Sequence, residues 1–516
     1  MFRYRISVGV LLLIALALRI PGLGESLWFD ELWSTHIKLG SLPRFFITAL
    51  RDVHPPGYHA VGFVWIRLFG DSELSIRVIP MLSGVGGVFL VCELARQWGT
   101  FRAGIIAGLL VALSPVHIWY SQEARSYAFL SLTILLAVWA RSRLSRDNAD
   151  TRWFALYVVS MGTALSLHYY ALAFAASYLV VDLLGTNPFR RRLVSANLIG
   201  CLAVLGYVGA KLSVGSLRLS YSYLKELDAV SLWMTLFDWF PTGHTLFAAG
   251  TYNPEWEMLA DPLMFGSHLL VASLLVSGCI SVWRRRRADP SAVSPLEPIA
   301  PLVCVPAMLF GLSFLGFAGT FIERSLFVCL PFFFILVALG LDAVRPVAVR
   351  AVLAVCLLVL MVSGLAAFHS KADEWTVYKP NPDWRSAAAL LLQDTEVDRA
   401  AVFVASPADV LRYYSGEFNK TGAANSPLVR EPVKHFDLYG FDQSDGWAGD
   451  QAAPPYTHAF MIRNDFWRGK FEKKREEFLA EYPLELVDRT QLKGLLVEKY
   501  LVVSLPDDPS GPNVAR

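Results

Sequence analysis

Eleven apolar stretches, separated by arginine clusters that fall at alternate ends, constrain this chain more than any other feature. A helix needs about 20 mainly apolar residues to cross the hydrocarbon layer, where every backbone N–H and C=O must be satisfied within its own segment. The candidate spans lie near 6–23, 74–95, 102–120, 125–140, 153–169, 170–186, 193–211, 263–283, 299–318, 325–343 and 347–367. Hydrophobic residues make up 54% of the 516 and charged ones only 17%, a balance that a soluble chain of this size does not carry. The expected fold class is a polytopic α-helical membrane protein with about 11 transmembrane helices.

Arginine placement orients the spans. Arg3/Arg5, Arg96/Arg102, Arg141/Arg143/Arg146/Arg152, Arg190–Arg192, Arg284–Arg287 and Arg345/Arg350 all reach one face when the N-terminus is cytoplasmic. The first span follows two arginines as a signal peptide would, but it lacks a small-x-small cleavage site and reads as an uncleaved helix. In this orientation 24–73 stays outside. Its apolar pieces, SLPRFFITAL at 41–50 and PPGYHAVGFVWIRLFG at 55–70, are too short and polar to span and read as interfacial helices. The stretch 212–262 is also outside.

The apolar character ends near residue 368, which divides the chain into a transmembrane domain, 1–368, and a soluble extracytoplasmic domain, 369–516. In the second, 381–395, 407–416 and 470–482 read as helices, and 401–406 and 495–503 as strands, giving a small α/β domain. Residues 416–456 are rich in Gly, Pro, Asp and Asn and read as loops. All six cysteines fall in apolar spans, so neither a disulfide framework nor a thiolate metal site is implied. The net charge of +2 is distributed by topology and gives no reason to expect a nucleic-acid partner.

The same topology gathers unusual polar residues on the outer face. Asp30 and Glu31, in SLWFDELWS at 26–34, are the candidate catalytic carboxylates, since a general base must stay ionised near water and reach an acceptor proton. Helix capping by Ser26 or Asp30 is an equal alternative. DVHPPGYH at 52–59 places Asp52, His54 and Tyr58 around a double proline that fixes entry into a helix. A histidine with a carboxylate can bind a divalent metal or meet a phosphate, and it can equally be a rigid helix entry. SPVHIWYSQEARSYA at 114–128 forms a short outer turn holding Gln122, Glu123 and Arg125. A guanidinium suits a phosphate because its planar fork donates paired hydrogen bonds, although a local Glu123–Arg125 pair is the plainer reading. His168 and Tyr169 of HYY at 168–170, Glu323/Arg324, and Arg19 near the outer end of the first span complete the set.

Taken together, these residues resemble the GT-C superfamily of integral-membrane glycosyltransferases. The likeness is to the bacterial family 39-like branch related to protein O-mannosyltransferases and the lipid A aminoarabinose transferase. The segments that carry it are WFDE at 28–31, HPP at 54–56, YSQEARSYA at 120–128, HYY at 168–170, ERSLFVCLP at 323–331 and PDWR at 382–385. It implies transfer of a sugar from a polyprenyl-phosphate-linked donor to an extracytoplasmic protein, lipid or polysaccharide acceptor, by an inverting displacement at the cell membrane. Asp30 is then the base or the acid that orients the acceptor, His54 matches a position where a relative has a metal-binding Glu, and Arg125 and Arg324 are candidates to meet the carrier phosphate. Arg19, Tyr58, Gln122, Glu123, His168 and Tyr169 are the further substrate-binding candidates, and a divalent ion at His54 is the one cofactor the pattern allows. A transporter or lipid flippase is the competing class, but such proteins place their charges near the bilayer midplane on broken helices and repeats.

Overall fold

The computed structural model describes residues 2–28, 30–32, 34–35, 41–144, 151–185, 189–213, 227–244, 262–290, 292–317, 320–371, 381–397, 400–404, 411, 414, 437–440, 457–464, 475–476, 479–480 and 484–502. These group into two compact units, Met1–Leu23 with Leu42–Lys379, and Gly24–Ser41 with Pro380–Arg516.

The first unit is a helical bundle, and each of the eleven apolar stretches is helical in it. The helices are α1 (Phe2–Ala17), α2 (Leu42–Arg51), α3 (Gly57–Phe69), α4 (Glu73–Trp98), α5 (Phe101–Leu113), α6 (Pro115–Gln122), α7 (Tyr127–Leu144), α8 (Thr151–Leu167), α9 (Tyr170–Leu184) and α10 (Arg190–Ser213). After them come α11 (Ala229–Met234), which runs on into a π turn at Thr235–Trp239, α12 (Pro262–Ala288), α13 (Leu296–Phe314), α14 (Leu330–Ala343) and α15 (Val347–His369). Among the described residues, seven helical segments are long and apolar enough to cross a membrane unaided, and α5 with α6 makes an eighth. Three further apolar helices, α1, α8 and α9, have 16, 17 and 15 residues. The two interfacial segments form α2 and α3, at 10 and 13 residues too short to span.

Two details correct the expected spans. The stretch 102–120 is not one straight helix but bends by 61° between α5 and α6. Ser114 causes the break: its hydroxyl caps α6 by accepting from the His117 N–H, it donates to the Phe240 carbonyl at 2.9 Å, and Pro115 occupies the first turn. The stretch 325–343 begins as a 3₁₀ segment, Glu323–Cys329, before α14. Helix α14 is buried from Leu330 to Asp342 and packs tightly on α12, where a Cβ on Gly278 or Gly340 would overlap the facing backbone of Leu336 or Leu274.

The second unit carries a five-stranded sheet, β1 (Ala400–Val404), β2 (Asp437–Gly440), β3 (His458–Asn464), β4 (Leu484–Leu492) and β5 (Leu495–Val502), in the order β2-β1-β3-β5-β4. The β2-β1-β3 pairs are parallel and the β3-β5-β4 pairs antiparallel. Helix α16 (Trp384–Gln393) starts at Asp383, whose carboxylate accepts from the Ser386 N–H at 3.1 Å. Strand β2 lies inside the stretch expected to be loops, and β3 and β4 were not expected. The helices expected at 407–416 and 470–482 lie largely outside the described residues.

The division of the chain differs from a single boundary at 368/369, because Gly24–Ser41 belongs to the second unit. The Leu27 N–H donates to the Tyr414 hydroxyl at 2.7 Å, and the Ser26 hydroxyl donates to Asp383 at 3.3 Å. The Arg385 guanidinium reaches the Gly24 carbonyl at 3.2 Å, and Lys493 pairs with Glu25 at 2.8 Å. The segment that holds Asp30 is thus tied to the start of α16 and to the β4–β5 turn.

Candidate active site

The cluster in the bundle begins where α2 stops. Asp52 Oδ1 accepts the His54 backbone N–H at 2.8 Å and lies 3.2 Å from His59 Nε2, with both side chains buried. Helix α10 holds this corner from outside, because Lys211 donates to the Asp52 carbonyl and the Tyr207 hydroxyl to the Ala49 carbonyl at 3.1 Å. Pro55 and Pro56 then deliver the chain into α3. Only a glycine fits at 57, since a Cβ there would overlap Ser166 at the end of α8.

This entry aims His54 at the turn between α6 and α7. Arg125 Nη2 lies 2.8 Å from His54 Nε2. A guanidinium has no acceptor, so His54 Nε2 accepts and its ring proton is on Nδ1. His168, in the turn between α8 and α9, has its ring centroid 4.7 Å from that of His54, 4.0 Å from Tyr170 and 5.6 Å from Tyr127. Its Nδ1 accepts the Tyr170 N–H at 3.2 Å, which leaves the proton on Nε2, a buried atom with no hydrogen-bond partner among the described residues.

The electrostatics keep both imidazoles neutral. Burial, then His168 and Arg125, hold His54 well below the usual histidine range. Burial, then Arg125 and Arg324, push His168 down to about 3. Asp52 goes the other way in charge: burial opposes its ionisation, but His59 and the His54 N–H outweigh burial and hold the carboxyl far below its usual range. The corner therefore contains an ionised Asp52 beside His59, the two neutral rings of His54 and His168, and the guanidinium of Arg125, with Arg324 close enough to act on His168.

Of the residues singled out in the sequence, the bundle brings His54, Arg125 and His168 together, with Arg324 near them. Tyr58 is buried, its ring edge-on to His59 with centroids 6.4 Å apart. Glu123 is buried in the same turn as Arg125, its carbonyl accepting the Arg125 N–H at 2.7 Å, and Tyr169 caps α9. Arg19 and Gln122 stand in a different arrangement. Arg19 is fully buried, donating to the Ala15 carbonyl at 2.8 Å and Ser121 at 3.2 Å, with His117 Nδ1 2.8 Å away, while Gln122 braces the turn after α1 through the carbonyls of Arg19 and Pro21. Their donors serve the bundle. Asp30 and Glu31 lie in the second unit on a short helical stretch: Asp30 is half-buried, and Glu31 is fully buried with Oε2 3.4 Å from the Trp28 N–H. His59 and Lys211 were missed. The signals were a second histidine seven residues beyond Asp52 and a lone lysine in the last turn of an apolar helix.

A divalent ion does not fit at His54. Its Nε2 already faces a guanidinium, next to which a second cation is repelled, and the Asp52 carboxylate is turned to His59 and the His54 N–H. No cluster of three or more His, Cys, Asp or Glu among the described residues is arranged to hold a metal.

Comparison with known proteins follows this geometry. Residues 53–210, which include His54, Arg125 and His168, match the family model of dolichyl-phosphate-mannose-protein mannosyltransferase. No curated protein matches the chain by sequence. The fold is similar to ArnT from Cupriavidus metallidurans bound to undecaprenyl phosphate, with TM-score 0.58 and 14% identity over 98% of this chain and 99% of that one. It is also similar to the arabinofuranosyltransferase AftD from Mycobacteria, at 0.50 and 15% over 98% of this chain and 40% of that one. A third similar structure is the oligosaccharyltransferase AglB from Archaeoglobus fulgidus in complex with an inhibitory peptide and a dolichol-phosphate, at 0.50 and 13% over 98% and 75%. The chain thus shares its fold with these membrane glycosyltransferases, and the segment that matches the mannosyltransferase family model holds the histidine–arginine cluster.

Proposed function

We propose that the protein transfers a hexosyl or pentosyl group from a polyprenyl-phosphate-linked donor to an extracytoplasmic protein, lipid or polysaccharide, with inversion at the anomeric carbon. The N-terminus is then cytoplasmic and the C-terminal unit extracytoplasmic. The observation that carries the reading is the guanidinium of Arg125, buried at the end of the bundle and met by the neutral nitrogen of His54 2.8 Å away. In a site shielded from water such a donor acts strongly on a developing phosphate charge. A phosphate oxygen is a better acceptor than an imidazole, and Arg324 adds a second positive charge in the neighbourhood of His168.

The reaction is a single displacement. The acceptor oxygen bonds to the anomeric carbon, the bond from that carbon to the phosphate oxygen breaks, and polyprenyl phosphate leaves with the electron pair, its charge met by Arg125 and Arg324. Asp30 takes the acceptor proton, a role that rests on the Trp-Phe-Asp-Glu segment. The test is transfer of labelled sugar from a panel of polyprenyl-phosphate sugars by membranes holding wild type or Asp30→Asn. Label reaching a new acceptor with wild type alone supports the reading. Equal transfer by both removes Asp30 from the chemistry, and no transfer from any donor by folded protein rejects the donor class.

A further inference from the structure

Away from the histidine cluster, one face of α12 lines an open groove of about 660 Å³ against the end of α14. Leu269, Ser273, Val276, Ile280 and Arg284 line it at helical spacing, so the groove follows the helix for roughly 22 Å at 1.5 Å per residue. That length exceeds one leaflet of the ~30 Å hydrocarbon core. Its far end is cationic. Arg284, Arg285 and Arg345 all contribute to the lining. Asp342 neutralises part of this charge, because it pairs with Arg102 at 3.0 Å and stands 3.8 Å from Arg285. Arg284 and Arg345 are exposed and have no hydrogen-bond partner among the described residues.

We infer that this groove binds an anionic phospholipid, its acyl chain along α12 and its headgroup phosphate between Arg284 and Arg345. The argument is complementarity. Exposed Leu269, Val276 and Ile280 give the groove an apolar wall, the small Ser273 leaves room for a chain, and two exposed guanidinium groups stand at the one end where a headgroup would lie. Arg285, Arg286, Arg287 and Arg350 remain to orient the helices when those two are replaced, so binding is separable from topology.

The experiment is native mass spectrometry of the purified full chain in detergent with added phosphatidylglycerol or phosphatidylcholine. Wild type retains phosphatidylglycerol in preference to phosphatidylcholine. In Arg284→Gln/Arg345→Gln that preference falls roughly thirty-fold, about fivefold per arginine. Ser273→Trp, which fills the groove and leaves the arginines in place, lowers it as well. The inference is overturned if the arginine pair keeps the wild-type preference, or if Ser273→Trp binds as wild type does. It is overturned too if inorganic phosphate displaces the lipid, which would make the site one for a free anion, or if Ser273→Trp breaks a dimer, which would make the occupant a second copy.

Discussion

Two buried arginines, one in each of two helix-end networks of the bundle, differ in what meets the guanidinium. Arg141 on α7 meets Asp182 on α9 at 2.6 Å and Glu297 on α13 at 2.9 Å, and the Tyr178 hydroxyl bonds the Glu297 carbonyl at 3.0 Å. Two anions hold that guanidinium and three helices depend on it. Among the contacts of Arg125 is a neutral imidazole 2.8 Å away, that of His54, whose ring lies tilted against a second neutral imidazole, that of His168. A substrate phosphate cannot outbid two carboxylates for Arg141, but it is a stronger acceptor than the ring of His54. On the proposed function, what surrounds the arginine, more than its burial, decides whether it staples helices or binds an anion.

Replacing Arg141 should have the largest effect on folding. Arg141→Met leaves the buried Asp182 and the partly buried Glu297 without their cation and should cost about 3–5 kcal/mol, read as a large drop in melting temperature with little folded protein recovered. Arg125→Gln should leave the melt close to wild type and lower transfer by about a hundredfold, the effect of removing one preorganised donor. Comparable loss of stability in both would erase the contrast. Gly57→Ala comes next: the overlap with Ser166 must be relieved by moving α3, at about 1–3 kcal/mol, and the His54 position should suffer with it.

The pH dependence sharpens the comparison further. His54 and His168 are neutral when folded, with His168 lowered to about 3 from an ordinary 6.5. Their stability contribution is complete above about pH 6.5, where folded and unfolded forms are both neutral, and is lost as pH falls toward 3, because the unfolded chain takes up protons that the folded one refuses. Replacing His168 with Gln should flatten this acid arm of the melting curve. The smallest effect belongs to the second unit: Ser26→Ala removes one hydroxyl bridge to Asp383, costs about 1 kcal/mol and should speed proteolysis within 24–41.

Much of the bundle was legible because lipid demands long apolar helices and the arginines repeat at alternate ends. Even the short α2 and α3 followed from length and polarity. The bend at Ser114 was written as Ser-Pro, a cap followed by a first-turn proline, but the apolar run on either side hid it. The histidine cluster was half legible. His54, Arg125 and His168 stood out as polar residues at helix ends, whereas His59 and Lys211 act through long-range contacts that spacing does not reveal. Arg19 reads in the sequence as either a snorkelling side chain or part of an anionic site, and the fold meets its guanidinium with carbonyls, Ser121 and His117. The grouping of Gly24–Ser41 with the C-terminal unit is supported by contacts of Gly24, Glu25, Ser26 and Leu27 with residues more than 350 positions away, which no local pattern encodes.

The most direct test of the central claim is the affinity of the purified protein for undecaprenyl phosphate, measured for wild type, Arg125→Gln and Arg125→Lys under conditions where all three are folded. If Arg125 binds the carrier phosphate, Arg125→Gln should weaken binding by at least about tenfold and Arg125→Lys should restore part of it. Equal affinity in all three proteins would contradict the account and return Arg125 to a structural role like that of Arg141.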